Sequence, residues 1–249
     1  YPKKPLFPPS WRMMICIPSS ITEVEKRAVR DSAEQAGAKE VYLIHEPMAA
    51  ALGIGIDVEE PVGNMIIDIG GGTTGITVIA LAGIVCDQSI RIAGDEFTAD
   101  IMEALRRYHS LLIGERTAEQ IKIQVGAAMK EIDNPPDDFP VNGRDLVTGI
   151  PKQIMVSYQE IAEALDKSIF KIEEAILKAL EQTPPELAAD IYRRGLYITG
   201  GGALLRGLDK RLGNKIKLPV HVADDPLKSV VRGTGIALKN YDRYPFVMR

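Results

Sequence analysis

Two glycine runs interrupt apolar segments of this chain, and both carry residue types able to hold a phosphate. The first reads Met65-Ile-Ile-Asp-Ile-Gly-Gly-Gly-Thr-Thr-Gly-Ile-Thr-Val-Ile79, with Asp68 closing one apolar run and Thr73 and Thr74 opening the next. Glycine lets a ligand approach the backbone closely, and consecutive N–H groups in such a turn can converge on an anion. Gly70, Gly71, Gly72 and Thr73 could therefore grip phosphate oxygens while Asp68 holds Mg²⁺, directly or through water. The plain alternative is a tight hairpin, but a two-residue hairpin manages with one glycine. The second run, Gly200-Gly201-Gly202, is followed by Leu204, Leu208 and Leu212 at helical spacing. Alone it reads equally well as a turn that lets a helix pack on a strand. Beside the first it suggests a second wall of one nucleotide site. Neither run is a Walker A loop or a G-x-G-x-x-G dinucleotide turn.

Glu46 precedes Pro47, where an apolar run ends and a small-residue helix begins. An acid there complements the helix dipole, which accounts for it without function. A nucleotidase also needs a group to orient an attacking water, and a carboxylate at the C-terminal end of a strand is placed for that task.

The elements around these residues follow from periodicity. "RMMICIP" and "VYLI" read as strands separated by a helix, which Ser20-Ile-Thr-Glu23 would open as a capping box and Gly37 would stop. "MIIDI", "GITVIA" and "IVCDQSIRI" predict a meander in which Ile76, Val78 and Ala80 point one way and Thr77 and Ile79 the other. Helices are predicted over 96–112 and 117–129, short strands within 133–152, and a long helix over 158–182 with an apolar stripe at Ile161, Leu165, Ile169, Ile172 and Ile176. A short helix, the strand "GLYIT", another helix, the strand "PVHVA" and a last helix from Pro226 complete an α/β pattern.

The chain has 249 residues, 45% hydrophobic and 26% charged, enough for two lobes with real cores. Its net charge of −4 argues against a nucleic-acid partner. Three scattered histidines suggest no zinc site, and two cysteines in apolar runs read as buried thiols. With no long apolar run or signal peptide, the expected compartment is the cytosol. Leu6-Phe7, flanked by Lys3 and Lys4, could enter a bilayer interface or simply fold onto the domain.

"HEPMAAALG" (45–53), "DIGGGTTG" (68–75), "RIAGDEF" (91–97), "GERTAEQIK" (114–122), "TGGGALLRGLD" (199–209) and "DDPLKSVVRGTG" (224–235) occur in the order seen in MreB, the bacterial actin homologue, and the chain resembles that family over nearly its whole length. The resemblance implies an actin-like ATPase fold, with two lobes around ATP and Mg²⁺. The first lobe would comprise 1–61 with 226–249. The second would comprise 62–94 with 158–225, and 95–157 would form its small subdomain. By the same resemblance Glu46 would direct the hydrolytic water and Asp68 would govern Mg²⁺. Gly70, Gly71, Gly72 and Thr73 would contact phosphates, and Glu119, Gln120, Ile121 and Lys122 would reach the ribose or base. Gly201, Gly202, Ala203 and Leu204 would line the adenosine pocket. Without the family, Glu119 and Lys122 read as a surface ion pair.

Three departures stand out. The family's first phosphate loop, an Asp-x-Gly-Thr hairpin, is absent, so the chain reads as N-terminally incomplete, with ATP hydrolysis expected of the complete protein. His45 stands where an acid is common, and Gly75 where a glutamate is common. The implied function is a filament that stacks head to tail on the inner face of the cytoplasmic membrane, meets membrane proteins of cell-wall elongation, and directs wall synthesis and rod shape. A sugar-type kinase of the same superfamily is the alternative. A chaperone ATPase would need a β-rich domain after the last helix.

Overall fold

The computed structural model describes residues 11–249; Leu6 and Phe7, expected at a membrane, lie outside the described residues. Strand β1 (Trp11–Ile17), helix α1 (Glu23–Gln35) and strand β2 (Ala38–His45) make a β-α-β unit with the strands parallel. The capping box lies two residues beyond the expected one. The Glu25 N–H donates to Thr22 Oγ1 at 3.3 Å, and the Thr22 N–H donates to Glu25 Oε2 at 2.8 Å. Ser20-x-x-Glu23 and Thr22-x-x-Glu25 have the same spacing, but a turn in which the Ile21 N–H meets the Pro18 carbonyl holds Ser20 ahead of the helix. Helix α2 (Glu46–Gly53) follows β2 without a gap.

Strands β3 (Asn64–Ile69), β4 (Thr74–Ala80) and β5 (Gly83–Ile90) form the expected antiparallel meander. After it come helix α3 (Gly94–His109), β6 (Leu111–Leu112), α4 (Glu115–Val125), β7 (Phe139–Asp145) and β8 (Pro151–Val156). Helix α3 stops three residues short of the expected end. Ser110 turns left-handed, and Leu111 and Leu112 pair with Asp145 and Arg144 of β7, so strand pairing takes residues whose pattern would continue the helix. Helices α5 (Tyr158–Glu181) and α6 (Pro185–Arg194), strand β9 (Leu196–Thr199), a 3-10 turn (Gly201–Leu204), helix α7 (Leu208–Ile216), strand β10 (Val220–Val222), a second 3-10 turn (Pro226–Lys228) and helix α8 (Ser229–Lys239) complete the chain.

The central sheet runs β10-β9-β3-β4-β5, and β9 lies parallel to β3 with Asp68 opposite Thr199. Side chains alternate across it. Met65, Ile67, Ile69, Ile76 and Val78 face one core, shared with Phe97, Ile101 and the α5 stripe Ile161, Leu165, Ile169, Ile172 and Ile176. Ile66 and Ile79 face a second core, built with Tyr42, Ile44, Met48 and Ala237. Each fully buried side chain of this kind contributes about 1.5–3 kcal/mol. Being buried on both faces, strands β3 and β4 leave only their ends open to a ligand. Among the described residues no helix is long and apolar enough to cross a membrane.

Candidate functional site

The site is built from strand ends. Because β3 and β9 run parallel, their C-terminal ends share one edge, and the two glycine runs that follow them become neighbours. Gly200 has φ +81°, and a Cβ there would lie 2.4 Å from Asp68 Oδ1 and from the Ile69 carbonyl oxygen, so the second run closes directly on the first. Likewise β1 and β2 end together, with Ile17 opposite His45, bringing the loop Pro18–Ser20 beside Glu46. Asp68 follows Ile66 on the same face of β3, the face turned toward Glu46.

The hairpin tip between β3 and β4 is braced from outside. The Gly94 N–H donates to the Gly70 carbonyl (3.1 Å) and the Asp95 N–H to the Gly71 carbonyl (2.8 Å), so the first turn of α3 packs on the tip. Among the described residues, no backbone–backbone hydrogen bond is donated by Gly71, Gly72 or Thr73. These exposed N–H groups remain available to an anion.

Two cavities meet at this tip. One, of about 810 Å³, is lined by Asp68, Gly70, Gly71, Gly94, Asp95, Phe97, Glu119, Lys122, Ile123, the run Gly200–Gly202, Leu204, Leu205, Pro226, Leu227 and Val230. The other, of about 730 Å³, is lined by Ser19, Ser20, Glu46, Thr73, Thr77, Asp87, Ser89 and Arg91 among others, and shares Asp68, Gly70, Gly71 and Val230 with the first. Asp68 thus stands where the cavities join. Burial first, and then the charge of Glu46, push its carboxyl up to about 6. Burial alone raises Glu46. Across the second cavity, Ser19 Oγ and Thr77 Oγ1 donate to the two oxygens of Asp87, at 2.6 and 2.7 Å.

The α4 wall is a network rather than a lone ion pair. Lys122 Nζ donates to the Gly94 carbonyl (2.8 Å) and to Thr98 Oγ1 (3.0 Å), and it pairs with Glu119 Oε2 at 2.6 Å. Both residues line the larger cavity, but all three ammonium donors of Lys122 are engaged. Gln120 and Ile121 do not line it. Ile121 is fully buried in the core below α4 and Gln120 is exposed, since a helix turns about 100° per residue. Ala203 is buried in the same core while Leu204 lines the cavity. Thr73 lines only the second cavity, and Gly72 lines neither.

The sequence of this site matches known proteins over its whole span. The MreB/Mbl protein family model covers residues 3–245. The chain belongs to the MreB/Mbl family. It is 48% identical to the cell shape-determining protein Mbl of Bacillus subtilis (strain 168), spanning 94% of this chain and 70% of that protein. It is 49% identical to the cell shape-determining protein MreB of Escherichia coli (strain K12), spanning 95% of this chain and 67% of that protein. MreB5 of Spiroplasma citri bound to ADP superposes with a TM-score of 0.89 at 39% identity, over 93% of this chain and 71% of that one. A MamK double helical filament, 23% identical with a TM-score of 0.76, shares the actin-like fold.

Within this MreB/Mbl frame the larger cavity also holds residues that were not among those expected at the site. Asp95 has its carboxylate oxygens 3.6 and 3.8 Å from where a Gly71 Cβ would lie, and "RIAGDEF" was the signal at hand for it. Ile123 (61% exposed) and Leu227 (67%) join Leu204 (55%) as exposed apolar side chains around one rim. No local pattern announces them, because exposure of an apolar residue is decided by what packs on it.

Proposed function

We propose that this chain binds ATP with Mg²⁺ at the strand ends where the two cavities join, and that the protein is an ATP-hydrolysing, actin-like filament former of the cytoplasm. It would lie against the inner face of the membrane and direct cell-wall synthesis and rod shape. The reading is carried by one observation: the Asp68 hairpin and the Gly200–Gly202 turn wall a single cavity of about 810 Å³, in the size range of nucleotide sites. The exposed apolar rim of Ile123, Leu204 and Leu227 suits a purine ring, and the N–H groups of Gly71, where the cavities meet, and of Thr73, on the second cavity, suit phosphate oxygens. Two relatives are named cell shape-determining proteins, and MreB5 has been seen with ADP and with AMPPNP, which supports the same reading.

The residues present fit Mg²⁺. Among the described residues no group of three or more His, Cys, Asp or Glu side chains could hold a metal ion alone. Magnesium is ordinarily held by one or two carboxylates together with phosphate oxygens and water, and Asp68 supplies such a carboxylate, with Glu46 nearby. When bound, the ion would neutralise charge on the phosphate oxygens. Asp68 would hold it, directly or through water. Glu46, across the second cavity from the hairpin tip, would orient the attacking water and accept its proton.

Sedimentation of the full-length protein with ATP and Mg²⁺, with and without anionic vesicles, tests this together with Glu46→Ala. Filaments are expected with nucleotide, and recruitment to vesicles is expected with it. The alanine variant should bind ATP normally but release phosphate at least about 100-fold more slowly. Monomers under every condition would end the filament reading. Phosphate release undiminished in Glu46→Ala would remove that residue from the role, and phosphoryl transfer to a sugar without filaments would favour the kinase.

A further inference from the structure

Helix α4 and the second glycine turn are about eighty residues apart in sequence, yet they wall the same cavity and are tied together behind it. Arg206 makes the tie. Its Nη1 donates to the carbonyls of Ile123 and Gly126, at 3.3 Å each, and its own carbonyl accepts from the Ala128 N–H at 2.8 Å. The Ile123 carbonyl belongs to the last turn of α4, where helical acceptors have no helical partner and a cation also meets the negative end of the dipole, and Gly126 is the residue that caps that turn. The packing leaves little slack. A Cβ on Gly126 would lie 3.0 Å from Leu205 Cδ1 and 2.1 Å from the Lys122 carbonyl oxygen.

Arg206 does not itself line the cavity, but the residues on both sides of its tie do. Ile123 projects from α4, and Leu204 and Leu205 immediately precede Arg206 on the turn. The guanidinium therefore joins the backbones that carry these apolar side chains, alongside the bond between the Ala128 N–H and the Arg206 carbonyl. We propose that Arg206 is a positioning residue that fixes the width of the apolar slot between Ile123 and Leu204–Leu205, and so governs how tightly the base of a nucleotide is held. The phosphate end lies at the Asp68 hairpin and α3, which Arg206 does not touch. The proposal rests on the nucleotide reading and adds to it that base recognition is separable from phosphate recognition.

Binding of ATP and of inorganic tripolyphosphate, each with Mg²⁺, to the wild type and to Arg206→Ala tests it, because tripolyphosphate has the charge but no base. ATP should bind the variant about tenfold more weakly, a loss of the size expected for charge-assisted hydrogen bonds, while tripolyphosphate binds both proteins alike. A merely structural role would weaken both ligands together. Equal losses, or no loss for either, overturn the proposal. Should the alanine variant fail to fold, Arg206→Lys decides: it keeps the stem and the charge but not the fork, and a smaller loss confined to ATP is expected. Wild-type protein that binds tripolyphosphate but not ATP would overturn both this proposal and the nucleotide reading. ATP binding that is indifferent to Arg206 would overturn this proposal alone.

Discussion

Asp68 is held at a cost that a bound cation would remove. Its carboxyl sits at about 6 rather than the ordinary 3.8, because burial and then Glu46 disfavour the charge. Between those values the folded chain keeps a proton that the unfolded chain has lost, so stability falls as pH rises through that window and stays reduced above it. The full effect at neutral pH is about 3 kcal/mol. Asp68→Asn should therefore raise the stability of the ligand-free chain at pH 7 by about 1–3 kcal/mol and flatten the dependence of its urea midpoint on pH between about 4 and 6. The same change should abolish Mg²⁺-dependent nucleotide binding. A pH slope identical to that of the wild type would show that another group carries it. At this scale the sequence was informative for the placement of Asp68, Gly70, Gly71 and the Gly200–Gly202 run, which do line a cavity. It was less so for Gln120 and Ile121, which lie beside cavity residues in sequence but are rotated away from the cavity by the helix.

Among the elements, α2 and α8 carry the tightest constraint. A Cβ on Gly233 would lie 1.7 Å from the Ala49 carbonyl oxygen, and one on Gly53 1.8 Å from that of Ser229, so the two helices meet backbone to backbone. Helix α2 begins at Glu46, and α8 supplies Val230 to both cavities. Gly233→Ala should destabilise the chain by about 2–3 kcal/mol through overpacking. Gly235→Ala, two residues away where a Cβ meets nothing within 4 Å, should stabilise it by about 0.5–1 kcal/mol. Urea unfolding of both variants checks this, and equal effects would mean that the crossing yields more readily than its spacing implies. Helix α5 could be read from its stripe because one face of a long helix repeats regularly. The end of α3 could not, since Leu111 and Leu112 join a strand whose partner lies more than thirty residues on.

At the scale of the whole molecule, the larger cavity draws lining residues from α3, α4, the second glycine turn and α8, which belong to different parts of the chain. A ligand there should stabilise all of them together. Saturating ATP with Mg²⁺ at about 100 times its dissociation constant should add about 2.7 kcal/mol to unfolding, seen as a raised thermal midpoint. An unmoved midpoint at millimolar ATP would mean that the cavity is not a nucleotide site.

The residues alone established the α/β alternation, the meander, the pair of glycine runs and the acids beside them, because local periodicity and backbone requirements are written within a few positions. They could not establish that the two runs face each other. That was decided by the parallel register of β3 with β9, which sets Asp68 opposite Thr199 across some 130 residues of chain. Register of this kind is fixed by which apolar faces must be buried together, and only the assembled cores impose it.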